Sequence, residues 1–265
     1  MIRTTATATK TKTTSLAVTQ SVFIGRSLRH SIRNAEAMIT AMVLPIMLML
    51  LFTYVFGGAL DPSGQYVNYV VPGIILLCAG FGSSSTAVDV SQDMTNGIID
   101  RFRTMPIQSL SVITGHVVAS LARNMLATGV VIAVALLVGF RPSAGLMDWI
   151  LAIGLIALFI FAFTWLYAAI GLVAGSPAAA SSYGFILLFL PYLSSAFVPT
   201  ETMPAWLQGI ASNQPITPVI ESIRGLLTGG SIQDQIGWAI GWCLFILIGS
   251  MVWSMWTFKR KAGRR

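Results

Sequence analysis

The chain has 265 residues, of which 55% are apolar and 9% are charged, and its formal net charge at pH 7 is +7. About a quarter of the residues in an ordinary soluble domain are charged, so water alone cannot solvate a protein of this composition. The composition therefore excludes a soluble protein and predicts an integral membrane protein. Because backbone groups in lipid must be hydrogen bonded within the protein, the predicted fold class is all-α.

The basic residues lie beside apolar runs rather than on a soluble basic face. This distribution favours a signal for membrane orientation over nucleic-acid binding. Cys78 and Cys243 each lie inside an apolar run. Two distant cysteines are typical of neither a zinc site nor a disulfide framework, so both are predicted to be small buried side chains.

The first 36 residues divide into two parts. Residues 1–15 are rich in Thr and poor in apolar side chains, which predicts a disordered tail. Residues 16–36 are predicted to form an amphipathic helix that lies on the inner leaflet, with basic residues facing anionic lipid. Its apolar face consists of Phe23, Ile24, Leu28 and Ile32. The apolar run that follows is too long for a signal-peptide core and is expected to stay in the mature protein.

Six apolar segments approach the roughly 20 residues that a helix needs to cross a bilayer. They are residues 37–56, 67–88, 113–140, 149–174, 178–197 and 236–258. The sequence thus predicts a single six-span transmembrane domain, 37–258, followed by a basic cytoplasmic tail, 259–265.

The positive charges predict the orientation of these spans. With a cytoplasmic amino terminus, 13 of the 16 Lys and Arg residues face the cytoplasm. Arg141 and Arg224 then lie outside, and Arg123 lies within the third span. The positive-inside rule therefore places both termini in the cytoplasm.

A polar island, residues 89–106, interrupts the apolar runs after the second span. Its acidic residues come first, its basic residues come last, and apolar side chains recur at roughly helical spacing. These features predict a short amphipathic helix, ended by Pro106, that docks on something outside the bilayer.

The segment between the last two spans, 198–235, is long for a connection and contains four prolines. Thr217 is expected to cap a helix that has Pro218 in its first position and ends at Gly229. The apolar face of this outer helix suggests that it dips into the outer leaflet or covers a cavity. Two charged residues three positions apart can meet on its other face. The residues singled out in this helix are Pro218, Glu221 and Arg224.

The sequence lacks the common patterns of nucleotide hydrolysis and metal catalysis. It contains no Gly-rich phosphate loop ending in Lys-Ser or Lys-Thr, no Gly-x-Ser-x-Gly, no His-Glu-x-x-His and no paired cysteines. Ionisable residues inside the predicted spans are confined to Arg123 and His116 of the third, which gives little support to ion coupling. We therefore expect a permease without catalytic, cofactor-binding or metal-binding residues, driven by a separate subunit.

Residues 93–106 contain an acidic residue, a glycine four positions later, an acidic–basic pair and a terminal proline. Together with the interfacial helix, the six spans and the outer helix, this pattern resembles the membrane subunit of the ABC type-2 exporters, and more narrowly the daunorubicin-resistance type of permease. The resemblance implies that residues 91–106 form a coupling helix that inserts into a cleft on the ATPase subunit. It assigns this role to Asp93, Gly97, Asp100, Arg101, Phe102, Arg103 and Pro106.

The same resemblance implies partners and a substrate class. The expected complex contains two permease chains, as a homodimer or a related heterodimer, and two ABC ATPase chains that bind ATP and Mg²⁺. It resides in a bacterial plasma membrane and moves an amphipathic drug-like or lipid-like molecule out of the cytoplasm or inner leaflet by alternating access. Export of a polysaccharide or glycolipid by the same fold, and a non-transporting scaffold that recruits a cytoplasmic partner, are the alternatives.

Aromatic side chains of the fourth and fifth spans are candidates for lining a substrate cavity, because they offer ring surface without charge. They are Phe159, Phe161, Phe163, Trp165, Tyr167, Phe185, Phe189 and Tyr192.

Overall fold

The structure, a computed structural model, describes residues 35–96, 110–230 and 235–262, and the regular elements in these ranges are all helical. The long helices are α1, Ala35–Leu50, α2, Tyr66–Thr95, α3, Leu110–Val138, and α4, Leu146–Val173. The later ones are α5, Pro177–Leu187, α6, Ala205–Asn213, α7, Ile216–Thr228, and α8, Gln235–Ala262. A π-helical stretch, Leu51–Phe56, and a further turn, Gly57–Leu60, continue α1, and 3₁₀ turns occur at Leu190–Leu193 and Thr200–Thr202.

Five of these helices, counted among the described residues, are long and apolar enough to cross a membrane. They are α1 with its continuation, α2, α3, α4 and α8. The predicted all-α polytopic membrane fold is therefore confirmed. Helix α2 has 30 residues and is about 45 Å long at 1.5 Å per residue, so it exceeds the roughly 30 Å hydrocarbon core.

The predicted fifth span, 178–197, is wrong as a single long helix. Helix α5 has 11 residues, about 17 Å, and Pro191 lies in the 3₁₀ turn that follows it. The segment nevertheless runs antiparallel to α2, because Gly184 lies near Ser84 while Ala196 lies against Gly73. The last part of the segment, residues 194–197, is buried in the bundle, where backbone groups find protein partners instead of lipid.

Helix α2 is the centre of the bundle and packs against α1, α3, α4, α5 and α7. Glycines allow this close packing. A Cβ atom at Gly73 would lie 2.7 Å from the Cβ of Ala196, and one at Gly171 of α4 would lie 2.4 Å from the Ala87 carbonyl oxygen. Cys78 and Cys243 are buried and unpaired, as predicted.

Several predicted boundaries change. Residues 91–95, predicted to begin the coupling helix, are the last turns of α2, and residues 35–36 belong to α1. Helix α8 extends to Ala262, so the basic tail begins inside a helix. The predicted disordered tail, the rest of the interfacial helix and residues 97–106 lie outside the described residues.

Candidate functional site: the two ends of the bundle

The bundle has two ends, which we name by their residues. The Asp93 end contains the last turns of α2 and the first turns of α3, and the Tyr66 end contains the first turn of α2, residues 194–197 and helix α7. Polar contacts join neighbouring helices at each end. The predicted site residues that the structure describes are Asp93 at one end and Pro218, Glu221 and Arg224 at the other.

At the Asp93 end, the Asp93 carboxylate contacts the Nε2 atom of His116 at 2.9 Å. The contact ties the end of α2 to the beginning of α3, and about a fifth of each side chain is exposed. The neighbouring Thr95 hydroxyl donates to the Ser91 carbonyl oxygen at 2.6 Å, which satisfies an acceptor in the last turn of α2. The contact therefore joins the two helices close to the end of α2.

Asp93 is the one predicted coupling residue that lies within the described part of the chain. Its partner His116, one of the two ionisable residues of the predicted third span, is accounted for by this contact. The remaining predicted coupling residues, all outside the described part, are Gly97, Asp100, Arg101, Phe102, Arg103 and Pro106.

A polar network lies inside the bundle between α2, α3 and α4. The buried Arg123 guanidinium donates to the Ser85 hydroxyl at 2.5 Å. The Asn124 amide donates to the Ser83 hydroxyl at 3.2 Å, and Thr164 of α4 reaches the same hydroxyl at 3.2 Å. These side chains cross-link three helices where an unpartnered polar group would be costly.

Gly82 makes room for this network. A Cβ atom there would lie 1.6 Å from the Oδ1 atom of Asn124, so no other residue fits beside this amide. The sequence shows that this part of α2 is rich in small and polar residues but gives no reason for a glycine at position 82. The reason is the packing of α3 onto α2, which places Asn124 against Gly82.

At the Tyr66 end, Arg224 of α7 joins three segments. Its Nη1 atom contacts the Glu221 carboxylate at 2.5 Å, and its Nη2 atom donates to the Ser195 carbonyl oxygen at 2.8 Å. The Nε and Nη2 atoms donate to the Tyr69 carbonyl oxygen at 3.2 and 3.1 Å, and the guanidinium carbon lies 3.8 Å from the centre of the Tyr69 ring. One side chain thus connects α7, the start of α2 and residues 194–197.

Two tyrosines strengthen the same connection. The Tyr66 hydroxyl donates to the Phe197 carbonyl oxygen at 2.6 Å, and the Tyr69 hydroxyl donates to that of Ser195 at 3.0 Å. Sequence analysis did not identify either tyrosine as functional. The sequence shows only two tyrosines at the start of a span, a position that suits their polar hydroxyl groups. Their hydrogen-bond partners are more than 120 residues away in the chain, so the sequence could not indicate these contacts.

Helix α7 matches most features of the predicted outer helix. Glu221 and Arg224 pair at a spacing of three residues, as predicted, and Gly229 ends the helix with a φ of +81°. The prediction of an N-cap at Thr217 is wrong, because the helix begins at Ile216 and the Thr217 hydroxyl donates instead to the Ala211 carbonyl oxygen. Pro218 consequently lies in the first turn but not at its first position.

A cavity of about 690 Å³ opens beside Arg224 at the Tyr66 end. Its walls are formed by α6, α7 and the turn at Thr200–Thr202, and its charged lining residues in the described chain are Glu201, Glu221 and Arg224. The aromatic candidates lie elsewhere. In α4, the aromatic side chains buried in the bundle are Phe159, Phe163, Trp165 and Tyr167. In the predicted fifth span, the aromatic side chains are exposed, and they are Phe185, Phe189 and Tyr192.

Five long apolar helices, a shorter helical segment packed against α2, and polar contacts at both ends and inside the bundle define a polytopic α-helical membrane protein. Comparison with known proteins specifies its class. Residues 21–228 match the family model described as ABC-2 type transporter, and the chain therefore belongs to the ABC-2 type transporter family, as a membrane-spanning permease.

The names of similar proteins agree with this assignment. The chain is 31% identical, over 194 residues, to the daunorubicin resistance ABC transporter permease protein DrrB1 of Streptomyces coeruleorubidus, covering 72% of this chain and 69% of that protein. It is 26% identical, over 227 residues, to the probable doxorubicin resistance ABC transporter permease protein DrrC of Mycobacterium tuberculosis strain H37Rv, covering 83% and 82%. It is also 25% identical to the probable multidrug ABC transporter permease YbhR of Escherichia coli K12, covering 76% of this chain and 55% of that protein.

Proposed function

We propose that this chain is the permease subunit of an ATP-driven exporter that moves an amphipathic drug-like or lipid-like molecule out of the cytoplasm or inner leaflet. In this proposal an ABC ATPase subunit binds ATP and Mg²⁺, and a second permease chain completes the transport path in a bacterial plasma membrane. The names of the relatives, which refer to resistance to daunorubicin and doxorubicin, support a drug-like substrate over a polysaccharide.

The junction at the Asp93 end is the observation that carries the proposal. The Asp93–His116 contact joins α2 and α3 there, and the end of α2 and the beginning of α3, the two helices that flank residues 97–109 in the chain, both lie at this end. Six of the seven proposed coupling residues belong to that segment. A partner that pulls on it acts on both helices together, and α2 is the helix against which most of the bundle packs.

The orientation belongs to the same proposal. Coupling requires the Asp93 end to face the cytoplasm, which puts the Tyr66 end outside and both termini inside. Arg141 and Arg224, the two arginines predicted to lie outside, belong to the Tyr66 end, since the Arg141 amide bonds Asn68 and Arg224 bonds Tyr69. All other basic residues outside the spans then face the cytoplasm, which agrees with the positive-inside rule.

Alternating access follows from these two ends. When ATP closes the ATPase pair, movement of the coupling segments is transmitted through α2 and α3. An outward path between α2 and residues 194–197 requires the contacts of Tyr66, Tyr69 and Arg224 to separate. We propose that these contacts hold the exit closed in the resting state, and that the energy of ATP binding opposes them.

Co-purification with a co-expressed ABC ATPase tests the coupling. If Phe102 is an anchor in the ATPase cleft, Phe102→Ala removes a few kcal/mol of docking energy, and association falls at least tenfold. Phe185→Ala, which truncates an exposed ring on the side of the bundle, is the matched control and is expected to retain full association. Equal association of both variants would show that the segment does not dock.

Transport in liposomes separates the exporter from a scaffold. The wild-type complex is expected to accumulate daunorubicin in inverted vesicles in an ATP-dependent way and to hydrolyse ATP faster when the drug is present. A complex that assembles but neither transports nor responds to several amphipathic drugs would support the scaffold alternative.

A further inference from the structure

We propose that the cavity at the Tyr66 end binds a positively charged group, an ammonium or guanidinium, carried by an amphipathic molecule. Its volume of about 690 Å³ falls within the roughly 300 to 1,000 Å³ of small-molecule sites. Helices α2 and α3, which flank the proposed coupling segment, end and begin at the opposite end of the bundle, so the proposed ATPase contact does not use this cavity.

Two helices line the cavity with polar side chains. Those of α7 recur every three or four residues and therefore share one helical face, and they are Thr217, Glu221, Arg224 and Thr228. Helix α6 contributes Gln208 and Ser212, four residues apart, and the 3₁₀ turn contributes Glu201. The cavity at this end of the bundle is therefore lined by polar side chains and is large enough for a small molecule.

The nitrogen donors of Arg224 and Gln208 in this lining are turned toward the protein. The nitrogens of Arg224 donate to Tyr69, Ser195 and Glu221, as described above. The Gln208 amide donates to the carbonyl oxygens of Glu201 and Met203, at 3.1 and 2.8 Å. These groups consequently have little capacity left to bind an anionic ligand.

The acceptors of the lining keep more of their capacity. Glu221 is about a third exposed and uses one carboxylate oxygen for Arg224. Glu201 is exposed, and the hydrogen bond that it accepts from the Thr200 hydroxyl is long, at 3.4 Å. The charged lining residues of the described chain, two carboxylates and one guanidinium, have a net charge of −1. The cavity therefore attracts a cation, and Glu201 is the residue best placed to contact it.

This inference deepens the proposed function, since it assigns a charge to the exported molecule and a place where that charge is held near the exit. Binding can be measured on the permease without ATPase or ATP. A failure of the cation site and a failure of ATPase coupling are therefore distinguishable.

The experiment compares two fluorescent probes on the permease in zwitterionic nanodiscs, with empty nanodiscs subtracted. Dansylcadaverine carries a primary ammonium that is charged at pH 7, and N-acetyl dansylcadaverine has the same fluorophore without the charge. The matched variants are Glu201→Gln and Asp61→Asn. Asp61 precedes α2 on the same side of the bundle but lies outside the cavity, and its carboxylate is charged at neutral pH, like that of Glu201.

We expect dansylcadaverine to bind more tightly than its acetylated form and Glu201→Gln to weaken the charged probe about fivefold, the effect of one exposed charge–charge contact. Asp61→Asn should change neither probe, and salt at 1 M should reduce the difference between the probes. Glu221→Gln provides a second variant with the same expected direction. Equal affinity of the two probes for the wild type, or an equal effect of Glu201→Gln and Asp61→Asn, would overturn the proposal.

Discussion

Replacement of Arg224 by alanine is expected to loosen the Tyr66 end. The substitution removes contacts to Glu221, to the carbonyl oxygens of Tyr69 and Ser195, and to the Tyr69 ring. The Arg224 side chain is only 12% exposed, so water does not fully replace these partners. At roughly 1 to 1.5 kcal/mol for each of these four interactions, the free energy of unfolding falls by roughly 4 to 6 kcal/mol. Removing Glu221 as well should add little, because its carboxylate is 32% exposed and water can solvate it.

Arg141→Ala is the matched control. Arg141 is exposed and its guanidinium contacts the carbonyl oxygens of Leu136 and Phe140 in its own helix end, so its loss should cost about 1 kcal/mol or less. Thermal unfolding is measured with a thiol-reactive dye, because Cys78 and Cys243 are buried and react only when the bundle opens. At about 2 to 4 °C for each kcal/mol, Arg224→Ala should lower Tm by roughly 8 to 24 °C. An equal, small shift for both arginine variants would refute the assigned role of Arg224.

Two other predictions follow from the glycines and from the orientation. Gly82→Ala should destabilise the protein by roughly 2 to 4 kcal/mol, because its methyl group displaces the Asn124 amide from its partners, whereas Gly129→Ala, with open space around it, should leave stability unchanged or raise it by up to about 1 kcal/mol. Adding Asn124→Ala to Gly82→Ala should recover part of the loss in the same thermal assay, and no recovery would contradict the steric explanation. In a background without the native cysteines, a cysteine at Ser63 should react with an impermeant thiol reagent on intact cells, and one at Asn96 should react only after lysis. The reverse pattern would invert the proposed orientation.

The sequence by itself determined the class of fold and the position of most spans. Apolar runs of 20 to 30 residues can satisfy their backbone groups in lipid only as helices, so composition and length were sufficient for five of the six predicted crossings. The same reasoning failed for residues 178–197. Hydropathy cannot distinguish a lipid-facing helix from a segment whose backbone is covered by protein, and the packing of this segment against α2 allows it to leave the α-helical conformation.

Local contacts were also readable from the sequence. The Glu221–Arg224 pair depends on helical periodicity alone, and Gly229 ends its helix because glycine adopts a positive φ without strain. The local sequence did not predict the contact of Thr217 correctly, because its hydroxyl donates to a carbonyl oxygen of the preceding helix α6 instead of capping α7. When a side chain has two possible hydrogen-bond partners, the fold determines which of them is close enough to bind.

Only the tertiary structure decided how distant polar groups combine. Asp93 and His116 are 23 residues apart, and Arg224 lies 155 residues from Tyr69, so neither contact has a spacing rule that sequence analysis could use. Both arise because the packing of the helices against one another brings these polar groups within contact distance at the two ends of the bundle. The cavity beside Glu201 likewise depends on the angle between α6 and α7, which the arrangement of the whole bundle sets.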